Sequence, residues 1–145
     1  MNWTWILILS SVSLLTGLLG VYGVFPEGPM QYVISIGLGI AMAFVLSRFT
    51  ESKFFMNGFT LGVVGGTVQS LVQMLLFSTM IDNNPAIAQR FERMPEGMNP
   101  VVMFAVFSPI GIAISGAIQG LLTWVAAMLT GKGSRRRPVP PPPAA

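Results

Sequence analysis

The sequence predicts an all-α integral membrane protein. Four transmembrane helices form an up-down bundle, both termini are cytoplasmic, and a short amphipathic outer helix lies between spans three and four. Three observations predict this. Hydrophobic residues make up 52 % of the 145 residues and charged residues only 9 %, where soluble domains carry about 25 % charge. All thirteen charged side chains fall in four windows: Glu27, Arg48 to Lys53, Asp82 to Glu96, and Lys132 to Arg137. The uncharged stretches before and between these windows run to 26, 20, 28 and 35 residues, and about 20 apolar residues in a helix cross the hydrocarbon core.

Span one covers about residues 3–25. No basic residue precedes it and no small-residue cleavage site follows it, so it reads as a retained helix rather than a signal peptide. Pro26-Glu27-Gly28-Pro29 cannot continue a helix and makes a tight turn. Span two covers about residues 30–47, and a basic connector from Arg48 to Lys53 follows. Span three covers about residues 55–80. Asn84-Pro85 then reads as an N-cap and first helical residue. Ile87, Phe91 and Met94 recur at i, i+4 and i+7, the pattern of a short amphipathic helix lying on the outer surface. Asn99-Pro100 is a second such start, opening span four over about residues 100–129. Pro109 inside it predicts a kink. The single domain ends near residue 130, and residues 131–145 form a basic, proline-rich tail that cannot build a core. Its Pro138–Pro143 run favours polyproline II.

The chain has no histidine and no cysteine. Disulfides, thiolate metal sites and Ser-His or Cys-His nucleophile pairs are therefore excluded. All five acids lie near or outside span ends, so no ionisable group sits at membrane depth, where proton- and ion-coupled pumps keep one. No enzyme, cofactor, metal or nucleic-acid partner is expected.

Four spans put both termini on one side. That side holds Arg48, Lys53, Lys132, Arg135, Arg136 and Arg137, against Arg90 and Arg93 on the other, so the positive-inside rule places the termini in the cytoplasm. Trp3, Trp5 and Trp124 fall at the cytoplasmic interface and Tyr22 and Tyr32 at the outer one. Lys132 and Arg135 to Arg137 stand directly cytoplasmic of a span, where contact with anionic lipid is expected alongside their role as a topology anchor.

Lipid tails are as apolar as leucine, so helices in a bilayer associate through close backbone approach and interhelical hydrogen bonds. Each span carries small residues for this: Ser10, Ser13, Gly17 and Gly20; Ser35, Gly39, Ala43 and Ser47; Gly62 and Gly66; Gly116 and Gly120. Gln69 and Gln73 continue the stripe of span three, and Gln119 and Thr123 accompany that of span four. The preferred reading of these polar groups is hydrogen-bonding glue across the bundle. The alternative is a narrow polar path, with Thr67, Ser70 and Ser115, for a small neutral solute or an ion. Pro-Glu-Gly occurs at 26–28 and 95–97, each time before an inward-going span, which hints at two hairpins related by duplication, although turn chemistry alone favours the tripeptide.

Asn99-Pro100-Val101-Val102-Met103-Phe104, after an amphipathic connector and before a glycine-containing last span, resembles a bacterial inner-membrane family. Its members are small four-helix proteins known only as a domain of unknown function. Phe55-Met56-Asn57-Gly58-Phe59 at the start of span three is also similar, and the resemblance covers residues 55–129. The connector here is shorter and less charged than the family's, and the proline-rich tail is a departure. The resemblance implies a four-helix fold and an inner-membrane location but no activity. The leading functional expectation is a non-catalytic accessory or assembly subunit that packs against copies of itself or other membrane proteins. The competing expectation is a small channel or carrier using the Gln, Thr and Ser groups of spans three and four.

Overall fold

The structure, a computed structural model, describes residues 1–25, 28–93, 95 and 97–132. The described residues form six helices: α1 (Trp3–Val21), α2 (Pro29–Phe49), α3 (Phe54–Leu75), α4 (Phe77–Asn83), α5 (Pro85–Glu92) and α6 (Pro100–Leu129). Helices α1, α2, α3 and α6 are long and apolar enough to cross a membrane. Large apolar side chains such as Leu7, Ile36, Val106, Ile114 and Leu121 face outward, while the helix contacts are made by glycine, alanine and serine, as expected where the solvent is lipid.

Two boundaries differ by a helical turn or more from those the sequence predicts, and α2 runs two residues further, to Phe49. Helix α1 stops at Val21, four residues early, because Gly23 takes the left-handed conformation (φ +66°). The Gly23 and Val24 amides then donate to the Gly20 and Leu19 carbonyls, closing the helix in a Schellman turn. Gly131 (φ +73°) ends α6 in the same way, with Gly131 and Lys132 amides donating to Met128 and Ala127. Span three is interrupted at Leu76, after which α4 sets off separately. Nothing in the local sequence demands that break. Its consequence is tertiary: Asn84, at the end of α4, reaches α1.

Pro109 lies inside α6, which runs unbroken past it. Proline removes the amide that would bond the Ala105 carbonyl, and the Ser108 hydroxyl donates to that carbonyl instead at 3.2 Å. The adjacent serine thus supplies the donor that proline lacks. Asn99 caps α6 as expected, its Oδ1 accepting from the Val101 and Val102 amides.

Helices α3 and α6 form the antiparallel spine. Gly58 lies against Thr123, Gly62 against the Gly116 backbone and Gly66 against Ile112. A Cβ on Gly62 would come within 2.7 Å of the Gly116 Cα, so this crossing requires glycine. Helix α1 runs parallel to α3, with Ser13 against Gly65 and Gly17 against Gln69. Helix α2 runs parallel to α6, with Gly39 against Gln119 and Leu122. Although α1 and α2 are neighbours in sequence, they meet chiefly at the end that carries the N-terminus. There Trp5 stacks on Phe49 at 3.8 Å, the Asn2 side-chain amide donates to the Phe49 carbonyl, and Ile6, Leu9, Leu46 and Leu61 form the apolar core. Trp3, Trp5 and Trp124 share this termini end, and Tyr22 and Tyr32 the far end. On α5, Phe91 packs edge-on against Phe77 of α4; Met94, the third member of its expected apolar set, lies outside the described residues.

Candidate polar cleft

Away from the termini end, α1 and α2 part and leave a cleft floored by α3 and α6. Its volume is about 210 Å³, and its polar lining is Ser13, Thr16, Gln31, Ser35, Gln69, Gln73, Ser115 and Gln119. None of its lining residues is charged. The geometry follows from α2. Every residue from 29 to 37 is exposed, whereas Ala43, Leu46 and Ser47 are buried. Helix α2 therefore leans on α6 through its second half only.

The floor descends in steps. Gln119 is deepest: it is 7 % exposed and its Nε2 donates to the Gly39 carbonyl at 3.1 Å. Gln69 and Gln73 stand higher on α3, half-buried, and their amides make no hydrogen bond among the described residues. From Gln73 to the level of Gly62, eleven residues at 1.5 Å rise give a depth of about 17 Å, roughly half of a 30 Å hydrocarbon core. Below that level Met42 and Leu61 belong both to the cleft wall and to the apolar core or its packing. The cleft is thus blocked towards the termini by a plug of aliphatic side chains. Towards the far end it continues into an outer hollow of about 340 Å³, lined among others by Phe25, Tyr32, Gln73, Asn84 and Arg90.

The structure brings together Gly62, Gly66, Gln69, Gln73, Ser115 and Gln119 in the cleft wall. The other residues of the expected path lie elsewhere. Thr123 is wholly buried between α3 and α6, with its hydroxyl on the Gln119 carbonyl. Gly116 and Gly120 serve the same crossing, against Val63, Phe59 and Phe55. Thr67 is exposed and donates to the Val63 carbonyl one turn back, and Ser70 does not line the cleft. Sequence reading missed the contribution of α1 and the first half of α2: Thr16 and Gln31. Their signal was present as polar residues in otherwise apolar spans, but no periodicity linked them to Gln69 and Gln73.

Three asparagines, which sequence reading treated as caps or passed over, hold the ends. Asn57 is 1 % exposed; it donates to the Ser52 and Lys53 carbonyls and accepts from the Asn2 amide at 2.8 Å. Asn84 makes no cap bond to α5. Its Nδ2 instead donates to the carbonyls of Gly20, Val21 and Met80, tying the end of α1 to the end of α4. At the other end the Lys132 ammonium, expected at lipid, donates to the Ser47 and Arg48 carbonyls. It completes the C-terminus of α2, where a helix favours a cation. Arg135, Arg136 and Arg137 lie outside the described residues.

Four helices long and apolar enough to cross a bilayer, around a neutral polar cleft, support a membrane protein of the small helical class. The chain matches no family model, no curated protein and no solved structure. The resemblance of residues 55–129 therefore rests on its own motifs.

Proposed function

We propose that the chain is a non-catalytic multi-pass membrane protein that holds a small, uncharged, hydrogen-bonding solute in the cleft between α1 and α2. One observation carries this reading: the Gln69 and Gln73 amides and the Ser13 and Ser115 hydroxyls, which donate no hydrogen bond among the described residues, are gathered in a space open at one end, between helices apolar enough to span a membrane. Polar groups there are costly when left facing lipid, and Gln69, Gln73 and Ser115 have a use if the cleft holds water or solute. A neutral lining favours a neutral solute, because an ion at this depth needs counter-charge or a ring of oriented carbonyls. Amides and hydroxyls each offer donors and acceptors, which suits a small polyol.

In this reading the termini are cytoplasmic, by the excess of Lys and Arg at their end, and the cleft opens outward from a bacterial inner membrane. The family resemblance supports that location. The accessory-subunit reading keeps one observation of its own: the exposed half of α2 around Gly37, where a Cβ would meet nothing within 4 Å, leaves room for a helix of another subunit.

The test uses the absence of native cysteine. Gln73→Cys in membrane vesicles should react with a membrane-impermeant maleimide from the far-end side, and glycerol should slow that reaction several-fold. Equal rates with and without glycerol would remove the solute-binding reading.

A further inference from the structure

We infer that the ligand is a phosphorylated polyol, with its hydroxyls in the cleft and its phosphate in the outer hollow at Arg90. This rests on the solute-binding reading of the cleft and adds a second, charged end to what the cleft holds. Two observations carry it. The cleft and the outer hollow are one continuous space, since Gly20, Phe25, Gln31, Ser35 and Gln73 line both. Charge is also placed unevenly along that space. The cleft lining is neutral, and Arg90 is the one charged side chain among the described residues that line the hollow.

The position of Arg90 follows from α5. Ala86, Ile87 and Arg90 stand at i, i+1 and i+4, so they share one side of the helix, and all three line the hollow. Phe91 holds α5 against Phe77 of α4. Asn84, where α5 begins, is buried and bonded to carbonyls of α1 and α4. The guanidinium is therefore carried on an anchored helix. Its planar fork of donors matches a phosphate. Gly28, which opens α2, lines the same hollow, and the positive end of a helix dipole adds to the preference for an anion.

Below this level the lining offers amides and hydroxyls only. A phosphate moving inward would lose its counter-charge, whereas hydroxyl groups exchange water for donors and acceptors of the same kind. A ligand with both ends thus binds in one orientation. The hollow alone, at about 340 Å³, has the size of a small-ligand pocket. Such a ligand has two sources, the headgroup of a phospholipid or a free polyol phosphate. The seam between α1 and α2 is unsealed at this end, which admits either.

The experiment places the whole protein, as Gln73→Cys, in phosphatidylcholine vesicles and follows its reaction with the impermeant maleimide. Free glycerol phosphate should protect at about ten-fold lower concentration than glycerol, the worth of one charge-assisted hydrogen bond. Adding Arg90→Gln should erase that advantage and leave protection by glycerol as it was; Arg90→Lys should restore part of it. Phosphatidylglycerol in the bilayer, compared with phosphatidylserine at equal charge, separates the sources. Protection by phosphatidylglycerol alone makes the ligand a lipid headgroup, and protection by free glycerol phosphate alone makes it a solute; either supports the phosphorylated polyol. An equal effect of glycerol and glycerol phosphate, or an advantage that survives Arg90→Gln, overturns the phosphate seat and leaves the cleft reading standing. Absence of protection by glycerol and by both phosphates overturns the two readings together.

Discussion

Helices α1 and α2 have nearly the same length and mean apolarity, and both carry a stripe of small residues, yet the structure uses them differently. Helix α1 lies along α3 for its whole length, with Ser13 on Gly65, Gly17 on Gln69 and an asparagine at each end. Helix α2 lies along α6 from Gly39 onward and is exposed before it. A small-residue stripe thus permits close packing without requiring it. What decides is whether the partner helix offers a matching surface, and α6 offers α2 only Gln119, Leu122 and the residues below them. The unmatched half of α2, with Ser35 and Gln31, becomes a wall of the cleft.

The comparison breaks most severely if the spine beneath both helices is lost. Gly116→Val places a Cβ within 3 Å of the Val63 side chain; it should cost about 3 kcal/mol and lower the midpoint of unfolding in mixed micelles. Next comes the fastening of α1. Asn84→Leu leaves the Val21 carbonyl without its donor and takes a second donor from the Gly20 carbonyl, at a cost of about 2 kcal/mol. Amide exchange should then rise in residues 17–21 and not in α2. The equivalent loss for α2 is smaller, because one half is already free. Lys132→Met should cost about 1 kcal/mol and raise exchange over residues 43–48. Smaller still is Gln119→Leu, which removes the bond to Gly39 and should cost roughly 0.6 kcal/mol. Gln73→Leu should leave stability unchanged, since the Gln73 amide makes no hydrogen bond among the described residues; a stability loss of about 1 kcal/mol or more would make Gln73 bundle glue.

Much of this architecture was legible in residues. The charge windows placed the four long helices, and Gly62 and Gly116 were recognisable as close-contact positions because nothing larger serves a GxxxG crossing. Gln69, Gln73 and Gln119 stood out as polar residues in apolar spans. The parting of α1 from α2 was not legible, since it depends on which pairs of helices pack, and spans joined by a short turn are expected to be neighbours throughout. Asn84 is the N-cap residue of α5 and Pro85 its first residue, as expected, but the use of the Asn84 side chain was not legible, for a similar reason. Asn before Pro is a cap by local chemistry, but three carbonyls brought close by the break at Leu76 offered its amide more. Thr67 was placed on the path by its proximity to Gln69 in sequence, and helical rotation turns it outward.

The most direct test of a cleft open at one end and plugged at the other is a cysteine scan of the whole protein in sealed vesicles. Gln73, Gln69 and Ser115 line the cleft, while Leu9 and Leu46 belong to the plug. Cysteines at the first three should react with an impermeant maleimide added from the far-end side, with rates falling with depth, and cysteines at Leu9 and Leu46 should not react. Unreactive cysteines at all three cleft positions, in protein that remains folded, would contradict the cleft; reaction at Leu9 or Leu46 at the cleft rate would contradict the plug.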